Sequence, residues 1–202
     1  ATGRAGDMAM NVGTLSLANG SSISSASTGT EAGINPDGTT QAPGTAGNVV
    51  ITATGSFTSD ASSIATSAEA NQGGDISITA DSVQLSNGTV VTASSKAPLE
   101  VTRLVLDQDG QLVPQVVGDG NAGDITIHSG STFVMNNSSM TTEATQASGG
   151  QVVITAPEMV QLSYSKISTS VAGSAVDTAG GNITIDSDAN ASTGRTEIFS
   201  LA

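Results

Sequence analysis

The chain has no cysteine and no tryptophan, only one tyrosine and three phenylalanines, a single histidine and only five basic residues in 202. Without cysteine there are no disulfides, no thiolate nucleophile and no thiolate zinc site. Five basic residues against eighteen acidic ones leave a net charge of −13. That balance argues against nucleic acid or an anionic membrane as partner, since both reward Lys and Arg. No apolar run approaches the ~18 residues of a membrane span, so direct membrane insertion is not expected, and no signal peptide opens the chain. The expectation is a mature or excised segment of something longer.

What remains is Gly, Ser, Thr, Ala and Asn, with β-branched residues spaced regularly among them. Disorder would explain the polarity but not the spacing. A glycine precedes each pair of alternating apolar residues: "GDMAM" at Gly6, "GNVVI" at Gly47, "GDISI" at Gly74, "GDITI" at Gly123, "GQVVI" at Gly150 and "GNITI" at Gly181. The intervals are 41, 27, 49, 27 and 31 residues, a repeated core of about twenty residues with variable inserts. One such unit cannot bury its own apolar face, so neighbours must stack.

Within a unit the apolar period is two, the period of a strand. The third unit places Ile76 and Ile78 in a first strand, Val83 and Leu85 in a second and, after the Asn87-Gly88 corner, Val91 in a third. Equivalent places hold Met8, Met10, Leu15, Leu17 and Ile23, then Val49, Ile51, Phe57 and Ile64. They continue with Ile125, Ile127, Phe133, Met135 and Met140, then Val152, Ile154, Val160, Leu162 and Ile167. Three strands per unit joined by tight corners form one turn of a coil. The predicted fold is all-β: one domain over 1–202, a parallel β-helix of about six rungs, rising roughly 25–30 Å at the strand spacing. An antiparallel sandwich is the competitor, but sandwich strands do not recur behind a glycine at a fixed place. Asn19, Asn87 and Asn137 fall near equivalent corners, where left-handed backbone is needed.

Three inserts interrupt the repeat. Residues 28–46 and 171–180 read as solvated loops. Residues 98–117 read as a β-hairpin, with arms Leu99 to Leu106 and Gln111 to Val117 around "DQDG". It serves either as an arm gripping a ligand or protomer or, the preferred reading, as a flap folded along the flank.

The phrases "GNAGDITIHSGSTFVMNNSSMTTEA", "GGDISITADSVQLSNGTVVTASS" and "GGQVVITAPEMVQLSYSKISTS" resemble the repeats of filamentous-haemagglutinin-like exoproteins of bacteria. The resemblance covers most of residues 1–199. It implies a right-handed parallel β-helix, two-partner secretion, a place outside the cell on the bacterial surface, and adhesion. The amino-terminal secretion domain of that family is not found; "INPDG" at 34–38 differs from its motif.

β-Helices also carry enzymes that degrade acidic polysaccharides, and such sites need carboxylates clustered with one another or with Lys, Arg or His. The position after the leading glycine reads Asp7, Asn48, Asp75, Asp124, Gln151, Asn182. Asp75 and Asp124 on adjacent rungs form a candidate Ca²⁺ site; as turn formers diverging into water, the favoured reading, they would bind nothing. No other cofactor is expected. His128 falls at an outward place with no partner evident, and Lys166, Arg4, Arg103 and Arg195 are scattered. The outward positions Ala9, Val50, Ser77, Thr126, Val153 and Thr184 do not make the threonine array of an ice-binding face. Tyr164, at a corner, is the only aromatic candidate for binding. "TGR" at 2–4 and 193–195, and "GTLSLA" (13–18) beside "EIFSLA" (197–202), read as an end ready to resume the repeat.

The expectation is therefore a non-catalytic structural or adhesive stalk or filament segment. Its partners would be further repeats of a longer chain, copies stacked end to end, or surface glycans and matrix receptors. The alternative is a polysaccharide-binding or polysaccharide-degrading protein.

Overall fold

The computed structural model describes residues 4–29, 33–34, 40–41, 44–97, 101–118, 120–172, 179–187 and 195–198. The first rung comprises β1 (Met8–Val12), β2 (Leu15–Leu17) and β3 (Ser22–Ser27), followed by a small antiparallel pair, β4 (Gly33–Ile34) and β5 (Thr40–Gln41). The second comprises β6 (Val49–Ala53), β7 (Ser56–Asp60) and β8 (Ser63–Ala68), and the third β9 (Ile76–Ala80), β10 (Ser82–Ser86) and β11 (Val90–Ser95). The hairpin β12 (Val101–Leu106) and β13 (Leu112–Gly118) comes next. The fourth rung is β14 (Ile125–Ser129), β15 (Thr132–Asn136) and β16 (Ser139–Ala144), and the fifth β17 (Val152–Thr155), β18 (Met159–Ser163) and β19 (Lys166–Val171). β20 (Ile183–Asp186) and β21 (Arg195–Ile198) begin the sixth.

Each strand of the six rungs pairs with its counterparts one rung away, never with its neighbour in sequence; only the insert strands β4–β5 and β12–β13 do that. The first face is β1-β6-β9-β14-β17-β20, the second β2-β7-β10-β15-β18-β21 and the third β3-β8-β11-β16-β19, and all three are parallel throughout. This is the expected parallel β-helix. There is no helix among the described residues, so none is long and apolar enough to cross a membrane.

The core lies inside the coil as columns. One runs Met10, Ile51, Ile78, Ile127, Ile154, Ile185 along the first face. On the second face Leu15, Phe57, Val83, Phe133 and Val160 alternate broad and narrow side chains, so both rings are fully enclosed. On the first face like packs on like at one strand spacing, and β-branched side chains lose little rotamer freedom there.

The corner between second and third faces repeats a left-handed residue on successive rungs: Asn19, Ala61, Asn87, Asn137 and Tyr164, with φ of 56°, 48°, 55°, 47° and 47°. Asn tolerates that region because its short polar side chain bonds locally. Ala61 has no such excuse, and its conformation costs about 1 kcal/mol. Ala61→Asn, which restores the residue used on three other rungs, should raise the melting temperature by about 2–4 °C, read by circular dichroism.

All three inserts leave by one corner, between the third strand of a rung and the next leading glycine. They follow the first, third and fifth rungs, β3, β11 and β19. The two loop inserts are tighter than expected, whereas the second hairpin strand runs one residue further, to Gly118. Gly44 to Ala46 are already wall, with Ala46 buried, and Val171 pairs with Ala144 inside β19. Leaving from the same edge two rungs apart, β12 and β5 lie beside each other. The hairpin tip, 107–114, is exposed, including Leu112 and Val113. The expected equivalence of "GTLSLA" and "EIFSLA" does not hold in register. Counting along the second face, Thr196 and Ile198 occupy the columns of Leu15 and Leu17, three residues earlier than the sequence likeness implies.

Candidate functional site

The first place to look for chemistry is the ladder behind the leading glycines. These glycines stack directly. A Cβ on Gly47, Gly74, Gly123, Gly150 or Gly181 would collide with the carbonyl of the leading glycine one rung back. Only glycine fits there. The following residue carries a side-chain oxygen, and that oxygen accepts the backbone N–H of the equivalent residue on the next rung. Asn48 N donates to Asp7 Oδ1 at 2.8 Å, Asp75 N to Asn48 Oδ1 at 2.9 Å, Asp124 N to Asp75 Oδ1 at 2.9 Å and Gln151 N to Asp124 Oδ1 at 2.7 Å. The backbone answers in the other direction, Ile76 N donating to Asp124 O at 2.8 Å and Ile125 N to Gln151 O at 2.8 Å.

Asp75 and Asp124 therefore do sit on adjacent rungs, both exposed, and each carboxylate holds an amide rather than turning away into water. Among the described residues no three His, Asp or Glu side chains gather where a cation could be held. A ladder needs only the acceptor oxygen, so Asp124→Asn should leave stability unchanged and Asp124→Ala should cost about 1 kcal/mol. A melting temperature that rises with added Ca²⁺ and loses that rise in Asp124→Asn would instead assign the pair to a metal.

A second ladder, inside the coil, is invisible to a reading that looks only for apolar residues. Along the third face the inward column Ser25, Thr66, Ala93, Thr142 and Thr169, buried except for the half-buried Thr169, follows the aliphatic column by two residues. Its hydroxyls donate to the carbonyls of leading glycines: Ser25 Oγ to Gly6 O at 2.9 Å, Thr66 to Gly74, Thr142 Oγ1 to Gly150 O at 2.6 Å and Thr169 Oγ1 to Gly181 O at 2.6 Å. Ala93 interrupts the series. The hydroxyls thus satisfy inward-facing oxygens that would otherwise be stranded in an apolar interior.

The remaining candidates are dispersed. His128 is exposed, between Thr79 and Thr155 in the first face. Arg4 pairs with Asp7 at 3.1 Å and Lys96 with Glu69 at 2.8 Å, both at the surface. The side chains of Arg103 and Arg195, and all of Phe199, lie outside the described residues.

Tyr164 is different. It stands 64% exposed at the left-handed corner of the fifth rung, over a groove of about 490 Å³ shared by three rungs and lined by Gly88, Val90, Asn137, Ser139, Tyr164 and Lys166 among others. The groove lies between the ridge of corner residues and the first outward column of the third face, where Val90, Ser139 and Lys166 are in register. No protein-family model, curated protein or solved structure matches the chain.

Proposed function

We propose that the chain is a non-catalytic segment of a secreted protein on a bacterial cell surface, a rigid β-helical stalk or filament piece with a structural or adhesive role. One observation carries the reading: the outer ladder links the first five rungs in series and the inner one adds a hydroxyl bond on each of them but the third, so the carboxylates best placed for chemistry are engaged in holding the coil together. A rod of this kind resists bending because neighbouring rungs are joined by paired strands, a continuous apolar interior and the bonds of the polar ladders. The likeness of its repeats to filamentous-haemagglutinin-like exoproteins supports export by a two-partner route. Further repeats of a longer chain, or copies stacked end to end, would continue the rod, and surface glycans or a matrix receptor would be its targets.

Immunogold labelling of intact producing cells tests this: label along the cell surface or its appendages is expected, and label confined to the cell interior would defeat it. Concentration-dependent fibres in negative stain would favour stacking of copies, and a stable monomer at high concentration would oppose it. The second reading, a polysaccharide-binding or polysaccharide-degrading protein, is favoured by the groove beside Tyr164, and release of shortened products from an acidic polysaccharide would establish its enzymatic form.

A further inference from the structure

We infer that the corner groove beside Tyr164 binds a saccharide bearing a carboxylate, with a sugar ring seated on the Tyr164 side chain and the acid group on Lys166. The proposal rests on the adhesive reading above and gives it a site.

The observations are independent of one another. A tyrosine occupies a left-handed position at φ 47°, a region where bulky residues are outliers. Three other rungs place Asn there. Strain of that kind, kept where a relaxed alternative is one substitution away, points to use. The ring is also 64% exposed, leaving an apolar face in water beside a groove large enough for a ligand. Val90, 41% exposed, supplies a second apolar contact in the same groove. It lies two rungs from Tyr164, about 10 Å along the axis at the strand spacing, the reach of a disaccharide. Between them, on the fourth rung, stand the amide of Asn137 and the hydroxyl of Ser139, with Ser165 beside Tyr164 on the fifth.

Apolar patches alternating with short polar groups match a pyranose, which offers C–H faces to an aromatic ring and hydroxyls to donors and acceptors around it. An open groove with so few apolar contacts does not suit an apolar small molecule, which needs enclosure. Lys166 is exposed, and among the described residues it has no ion pair and is the only charged residue lining the groove. A carboxylate is the group that a lone ammonium adds to this recognition. The attraction is short-range, inside a groove with no acidic residue among the described ones that line it, even though the chain's net charge of −13 opposes anions at longer range.

The test is an NMR titration of the intact chain with tetragalacturonate and, separately, maltotetraose. Tetragalacturonate should shift the amides of 88–90, 137–139 and 164–166 and bind more tightly than the neutral sugar. Tyr164→Asn puts the residue of the neighbouring corners in place, so the variant stays folded, with a melting temperature at or above the parent's. It should weaken binding at least tenfold. Lys166→Met should weaken tetragalacturonate about threefold to tenfold and leave maltotetraose unchanged. Absence of shifts in the groove, or full binding by Tyr164→Asn, overturns the inference. Equal affinity for both sugars overturns the role of Lys166. Chromatography of the same samples separates the two levels: tetragalacturonate left intact and unbound removes this site alone, whereas tetragalacturonate bound and shortened keeps the site and removes the non-catalytic reading.

Discussion

Gly123→Ala should leave the protein unfolded or more than about 4 kcal/mol less stable, beyond the range of ordinary substitutions. A methyl group at residue 123 would overlap the carbonyl of Gly74 and press on Asp75 N at 3.0 Å. Neither is a side chain that can rotate away. Both belong to the preceding rung, which the two ladders hold in place, so relief would require parting the third and fourth rungs over the first face. Overpacking a rigid interior is destabilising even when side chains can adjust; here only backbone is available to move. The matching control is Gly6→Ala, at the same place in the motif, where the added atom meets nothing within 4 Å. That variant should stay within about 0.5 kcal/mol of the parent. Chemical denaturation followed by circular dichroism checks both. Equal effects at the two positions would show that the cost arises from backbone freedom and not from stacking.

Ile127→Ala should cost about 3–5 kcal/mol. Ile127 is fully buried, between Ile78 and Ile154 in the column of the first face. Its neighbours above and below are pinned by their own strands, so the space left by the missing carbons cannot close along the axis. The cost of a cavity is greatest where the walls cannot relax. Ile185, in the same column but only partly buried, offers the comparison: Ile185→Ala should cost less than half as much. A similar loss at both would mean that the column does not stiffen its members.

The course of the chain was legible in the sequence because one feature is repeated without ambiguity: the glycine followed by two aliphatic residues with one residue between them. Ile76 and Ile78, or Ile125 and Ile127, announce a strand with one buried face, and their recurrence announces stacking. The hairpin was legible too, since "DQDG" between two alternating arms has few other readings. What escaped shares its appearance with the bulk of the chain. Thr66 and Thr142 are buried and bonded to glycine carbonyls, but Ser and Thr are equally common on the outward side. A period of two cannot say which face is inside when both carry hydroxyls. Asp75 and Asp124 were placed on adjacent rungs, yet their acceptor role depends on an amide 27 or 49 residues away in the chain, which no local pattern reveals. Ala61 hides for the opposite reason, because alanine gives no sign of a left-handed corner.

The shared exit corner separates two quantities that most folds tie together. The three inserts enter at one seam, after the third strand; the bend between first and second strands holds one to three residues on the first five rungs and lengthens only in the sixth, where eight residues part β20 from β21. Two rungs with the minimal 27-residue spacing and others with 31 to 49 consequently climb by the same step. Contour length can grow severalfold while height advances in fixed increments, so the flank along that seam can acquire decoration of any size without altering the pitch of the shaft that bears it.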